Sequence, residues 1–210
     1  SQALTDESLS ERTRRSSDSL PVSLLFDHRD GIFGAGITYG SLTWTPGRVK
    51  FNNNVSDRPE GNFHKATLDV ARLQKISDNL NFFTRLSGQK SDSNLDSSED
   101  FGVGGVYGVR AYPSGEVYGD QGILAQIELR YRIKQFNPYL FYDIGHVRIN
   151  KFADASDNHR RIDGGGIGIR ADYKNFTTDI AMAWRSRGGE PLSDSKDRDP
   201  RVWAIGGIRF

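Results

Sequence analysis

The stretch GILAQIELRYRIK, residues 122–134, alternates almost without fault. Ile123, Ala125, Ile127, Leu129, Tyr131 and Ile133 fall on one face, and Gln126, Glu128, Arg130, Arg132 and Lys134 on the other. A period of two marks a β-strand with one apolar and one polar side. A strand of about 11 residues is about twice the usual length for a soluble domain, and it suits a strand that crosses a bilayer at a tilt. FTTDIAMAWRSR repeats the device, with Phe176, Thr178, Ile180, Met182 and Trp184 against Thr177, Asp179 and Arg185. GIGIRADYK does so again, setting Ile167, Ile169, Ala171 and Tyr173 against Arg170 and Asp172. No convincing helical period occurs beyond the first 18 residues.

Extended along the chain, this pattern predicts about nine strands, near residues 19–30, 34–46, 61–76, 79–91, 100–108, 122–134, 138–150, 162–174 and 176–187. A last one lies at 200–210 if the poorly patterned second is discounted. The connections sort by parity: NNNVSDRPEG, NKFADASDNHRR and SRGGEPLSDSKDRD are long, whereas SDN, KQFNP and KN are short. An up-and-down barrel in an outer membrane does this, because its periplasmic turns stay tight while its outer loops grow. A soluble sandwich or lipocalin-like barrel has no reason to. Tyr131, Tyr139, Tyr142, Tyr173, Trp184 and Trp203 are expected to form aromatic girdles. The mean hydropathy of −0.59 nominally favours a soluble protein, but only alternate residues of a membrane strand face lipid.

Composition removes other classes. With 28 Lys plus Arg against 27 Asp plus Glu, no global field recruits nucleic acid. There are no cysteines, so neither a disulfide framework nor a thiolate metal site is expected. Residues 1–18 read as a polar lead-in with no apolar signal core, and an exported chain would begin upstream of them.

The least ordinary stretch is GGVYGVRAYPSGEVYGDQG, Gly104 to Gly122, which sets Arg110, Glu116 and Asp120 among glycines and a proline. A phosphate loop, a calcium loop, a mobile lid and a structural plug are all candidate roles. GVGGVYG lacks the Lys-Ser/Thr of a phosphate loop and precedes no helix. SDSKDRD lacks the glycine and glutamate of a calcium loop. His28, His64, His146 and His159 show no ligand spacing, so no metal or cofactor is expected, and HRD at 28–30 stands without the rest of a kinase set. A barrel enzyme would need a Ser-His or Asp-His pair at the rim, for instance at His28 or His146, and no motif commits to one. In DPRVWAIGGIRF the terminal Phe210 is in phase with Ile208, Gly206, Ala204 and Val202. Such an end looks like the sorting signal read by barrel-assembly machinery.

The run from LDSSEDFGVGG through VYGVRAYPSGEVYGDQG to LAQIELRY resembles the haemolysin secretion and activation family of two-partner secretion transporters (TpsB). The matching residues come in order: Ser98, Glu99 and Phe101, then Gly104 and Gly105, then Val109, Arg110 and Tyr112, then Gly119 and Asp120, then Glu128, Leu129 and Tyr131. FYDIG adds Phe141, Asp143 and Gly145, like the family's strand motif. One departure is Ala111, where the superfamily usually has glycine, so the backbone there must avoid positive φ or bear strain.

The resemblance implies an all-β fold, an antiparallel up-and-down transmembrane barrel of about sixteen strands. Residues 19–210 would supply its C-terminal half, with long loop 104–122. It implies that the loop enters the lumen, where Arg110 meets Asp143, and that Val109, Tyr112, Gly119, Asp120, Phe141, Gly145 and Glu128 belong to the same site. It implies passage of an unfolded partner exoprotein of haemolysin or adhesin type across the outer membrane of a Gram-negative bacterium, and no enzyme activity. Lipid and the barrel-assembly machinery, reading Ile208 and Phe210, are the other partners implied. A barrel-assembly or lipase-fused member of the superfamily is the alternative.

Overall fold

The alternating segments form one continuous antiparallel sheet in the computed structural model, which describes residues 15–51, 61–152 and 158–209. In chain order the strands are β1 (Arg15–Ser19), β2 (Val22–Asp30), β3 (Gly36–Phe51), β4 (Gly61–Lys75) and β5 (Leu80–Ser91), then the short β6 (Phe101–Gly102) and β7 (Tyr118–Gly119). There follow β8 (Gln121–Tyr131), β9 (Phe136–Arg148), β10 (His159–Tyr173), β11 (Phe176–Arg187) and β12 (Arg201–Ile208). Among the described residues all regular structure is strand.

Sequence neighbours are spatial neighbours throughout the main sheet, in the order β1-β3-β4-β5-β8-β9-β10-β11-β12, with β2 also on β3. β1 lies along the far half of β3, Ser19 opposite Gly47, and β2 along the near half, Val22 opposite Trp44. Together they make one edge strand interrupted at Leu20-Pro21. Pro21 has no N–H to give to a ladder, while Leu20 still donates to the Pro46 carbonyl at 3.0 Å. β1 takes in the last residues of the segment read as a polar lead-in. No pairing joins β12 to β1 or β2 among the described residues. The sheet is therefore an open section of a meander, the up-and-down barrel topology.

The connections fall into two sets, one at each end of the strands. Residues 31–35, 76–79, 132–135 and 174–175 are tight, and 52–60, 92–120, 149–158 and 188–200 are long. Lys134 and Lys174 accept positive φ (55° and 52°) to close two of the tight turns.

Two expectations fail. The strand near 100–108 does not join the sheet; only Phe101–Gly102 is extended, and it pairs with Tyr118–Gly119 of the same loop. The glycines are the reason. Gly105 sits at φ 104°, and Gly108 lies so close to the Val103 carbonyl that a side chain would not fit, so the chain turns back at once. The loop between β5 and β8 thus runs over 92–120. Tyr139 and Trp203 also leave the aromatic girdle: Tyr139 is buried on the inner face, and Trp203 turns inward to bond the loop. Tyr131, Tyr142, Tyr173 and Trp184 alternate with inward-facing neighbours and lie on the outer side.

Burial is inverted relative to a soluble protein. Leu140, Ile167, Ile127 and Ile180 stand exposed on the outer face, whereas Arg110, Gln126, Glu128 and Asp143 are buried within. An apolar outside and a charged inside are what a wall in lipid requires. The main apolar cluster lies on the inner face, where Val103, Val109, Ala111, Tyr112 and Val117 of the loop pack on Leu124, Phe141, Val147, Ile162, Ala181 and Ala183 of the wall.

Candidate functional site: the loop on the inner wall

β8 and β9 run antiparallel with Gln126 opposite Asp143 and Glu128 opposite Phe141. Parity points all four at the inner face, along with Tyr139 and Gly145. The loop enters from the long-loop end and sets Arg110 between the two acids. Arg110 donates from Nε to Asp143 Oδ2 at 2.8 Å and from Nη2 to Asp143 Oδ1 at 2.7 Å, while Nη1 reaches Glu128 Oε1 at 2.7 Å. Its backbone N–H also bonds Asp143 Oδ2, at 3.0 Å. The side chains of Arg110, Glu128 and Asp143 are only 5%, 5% and 0% exposed. The guanidinium lies 3.6 Å from the Phe141 ring centroid, a cation–π contact in a dry setting. Burial alone would lower the Arg110 pKa; the Asp143 and Glu128 carboxylates outweigh it and raise it, so the charge is permanent.

The ion pairs continue along the wall as an alternating chain. Arg130 and Arg170 both bond the Glu128 carboxylate, and Arg170 goes on to Asp179 at 2.8 Å, which also accepts the Tyr139 hydroxyl at 2.6 Å. Gln126 donates to the Gly108 carbonyl at 3.0 Å, tying the loop backbone to the same wall. A hollow of about 180 Å³ lies beneath the loop, lined by Arg85, Arg130, Arg170, Glu128, Asp179 and Trp203. Cations and acids alternate there.

Of the other residues expected at the site, Val109 and Tyr112 are fully buried, and the Tyr112 hydroxyl lies 2.9 Å from the carbonyls of Arg187 and Gly189. Gly145 is where the loop rests on β9: a Cβ there would stand 2.9 Å from Val109 Cγ2 and 3.0 Å from Val103 Cβ. Gly119 and Asp120 lie at the rim. The Asp120 carboxylate accepts the Leu95 and Lys151 backbone N–H groups at 2.7 and 2.5 Å, joining the start of the loop to the connection after β9. Ile208 is exposed on the outer face of β12, opposite Phe176, and Phe210 lies outside the described residues.

Several members of the site were not singled out as such in the sequence. The Trp203 indole donates to the Arg110 carbonyl at 2.7 Å; its parity, opposite to Val202 and Ala204, was the available signal. Ala111 does not take positive φ, and its methyl fills the space left open by Gly164 on β10, where any Cβ would collide with it. Glu116, one of the two acids noted in the loop, is buried with Arg160 and caps the backbone N–H groups of Leu192 and Ser193 at 2.9 and 3.1 Å. The 188–200 connection is thereby fastened over the loop. The four histidines are all exposed, with His64 stacked on Trp44 and His146 on His159.

Known proteins share this fold. A solved structure of CdiB from Acinetobacter baumannii shares the fold with a TM-score of 0.51 at 18% identity, covering 92% of this chain and 42% of that one. Heme/hemopexin transporter protein HuxB of Haemophilus influenzae strain 86-028NP is 26% identical over 215 residues, 93% of this chain and 37% of that protein. A second HuxB from Haemophilus influenzae is 28% identical over 161 residues, 72% of this chain and 28% of its own. The chain thus spans about a third of the length of these curated relatives, whose names are those of transporters. The family model for haemolysin secretion/activation protein ShlB/FhaC/HecB matches residues 5–171, most of the chain, and the protein belongs to that family.

Proposed function

We propose that the protein is the C-terminal part of the barrel of a two-partner secretion transporter, which carries an unfolded exoprotein of haemolysin or adhesin type across the outer membrane of a Gram-negative bacterium. The tight turns 31–35, 76–79, 132–135 and 174–175 face the periplasm, the long connections face outward, and lipid surrounds the aliphatic outer face. Assembly machinery reads the last strand, with Ile208 and Phe210 as its signal. The alternating charges of Glu128, Arg130, Arg170 and Asp179 hold an extended chain weakly, so that it moves on. Relatives named heme/hemopexin transporters support this reading.

The observation that carries it is the enclosure of Arg110 between Asp143 and Glu128. At an effective dielectric of about 20, one such contact attracts by about 4 kcal/mol, much of it offset by desolvation. The contact acts as a latch: it fixes where the loop sits and adds little net stability. Removing one partner strands the other charge in the wall, a loss of about 3–5 kcal/mol. Arg110→Ala in the full-length transporter is therefore expected to cut secretion of the partner by about tenfold or more, with heat-modifiable migration of the barrel unchanged. Undiminished secretion by a normally inserted Arg110→Ala protein would reject the latch.

A further inference from the structure

On the outer face at the long-loop rim, Trp44 of β3, His64 of β4, Lys90 of β5 and Lys151 of the connection after β9 line one hollow of about 420 Å³. Among the described residues that line it the acid is Asp92, already engaged: it accepts the His64 backbone N–H at 2.9 Å, and the His64 ring Nδ1 lies 2.8 Å from its other oxygen. Lys65, at the inner edge of the hollow, is paired with Glu99 at 2.6 Å. Lys90 and Lys151 also line the hollow, and among the described residues neither pairs with a carboxylate. A second hollow of about 280 Å³ shares Ala66 and Lys90 with the first and continues down the wall between Leu42, Leu68 and Ile123. Gly88 forms its floor, opposite Leu68 and Ile123.

A cationic mouth beside an indole, opening onto an aliphatic trough on the lipid side, matches one kind of molecule in all its parts. We propose that this is a site for a phosphate-bearing glycolipid of the outer leaflet. Lys90 and Lys151 take the phosphate, Trp44 lies beside the sugar at headgroup level, and an acyl chain fills the trough over Gly88. A soluble anion would use the lysines and leave the trough unexplained. The site rests on the membrane placement of the wall and is independent of the latch and of transport.

The test uses the full-length transporter in detergent micelles and native mass spectrometry, with bisphosphorylated lipid A and the same lipid stripped of both phosphates as probes. Each basic group near an anionic lipid surface contributes about fivefold. Lys90→Ser and Lys151→Ser should each weaken retention of the phosphorylated form about fivefold, and together about 25-fold, without changing the stripped form. Gly88→Leu meets only ordinary contact at its Cβ, 3.4 Å from the Gly122 carbonyl, so it should insert normally, fill the trough and weaken both forms. Lys174→Asn, at the opposite rim, should leave binding unchanged. Equal retention of the two lipids by the unaltered protein, or full retention by the double lysine variant, would overturn the proposal.

Discussion

Asp143 accepts three of the four bonds that Arg110 donates, one of them from its backbone N–H, and Glu128 accepts the fourth. The placement of Arg110 is therefore partly a property of where the main chain passes. A group that does titrate, Asp100, lies nearer the start of the loop. Burial, followed by repulsion from Asp120 and Asp96, raises the Asp100 carboxyl to about 6, with Lys65 acting the other way. A carboxyl whose folded pKa is raised favours the folded loop most at low pH, and that contribution is lost as pH climbs through about 6. Amide protection of residues 95–101, corrected for chemical exchange, should rise between pH 7 and pH 5. Asp100→Asn should flatten that dependence, and a profile unchanged by the substitution would show that other groups govern it.

Among elements, the wall and the loop are legible in the sequence to different degrees. Strands β8, β10 and β11 could be read directly, because a half-buried strand writes its two faces into alternate residues. Phe141, Asp143 and Gly145 share the inner face by the same alternation. The fate of residues 100–108 could not be read so, because glycines permit extension and reversal alike; the Val103 and Val117 contacts that choose between them are made across the loop. Nor does periodicity reveal that Trp203 or Gly164 would meet residues some 93 and 53 positions earlier. The fit of Ala111 on Gly164 sits beside a bulge, where β10 and β11 slip register between Asp163 and Gly164. Gly164→Ala should force the loop from the wall, at a cost of about 1–3 kcal/mol, and expose it to protease while the barrel still migrates normally. Ala111→Gly in the same chain should restore protection in part, because the Trp184 carbonyl, 2.8 Å from the added Cβ, remains. No rescue would mean that the two residues do not oppose one another.

Across the whole molecule, the three tryptophans divide between the two faces: Trp44 and Trp184 are 52% and 42% exposed on the outside, and Trp203 is turned to the loop. In single-tryptophan variants of the full-length protein in bilayers, brominated acyl chains should quench Trp44 and Trp184 and spare Trp203; quenching of Trp203 to the same degree would reverse the assignment of faces. The residues that hold Arg110 and Ala111 share one further property. Glu128, Asp143, Gly164 and Trp203 all follow them in the chain. Whatever the order in which the strands assemble, the loop cannot be fully secured until β12 has arrived beside it, so its locking waits on strands that come after it in the chain.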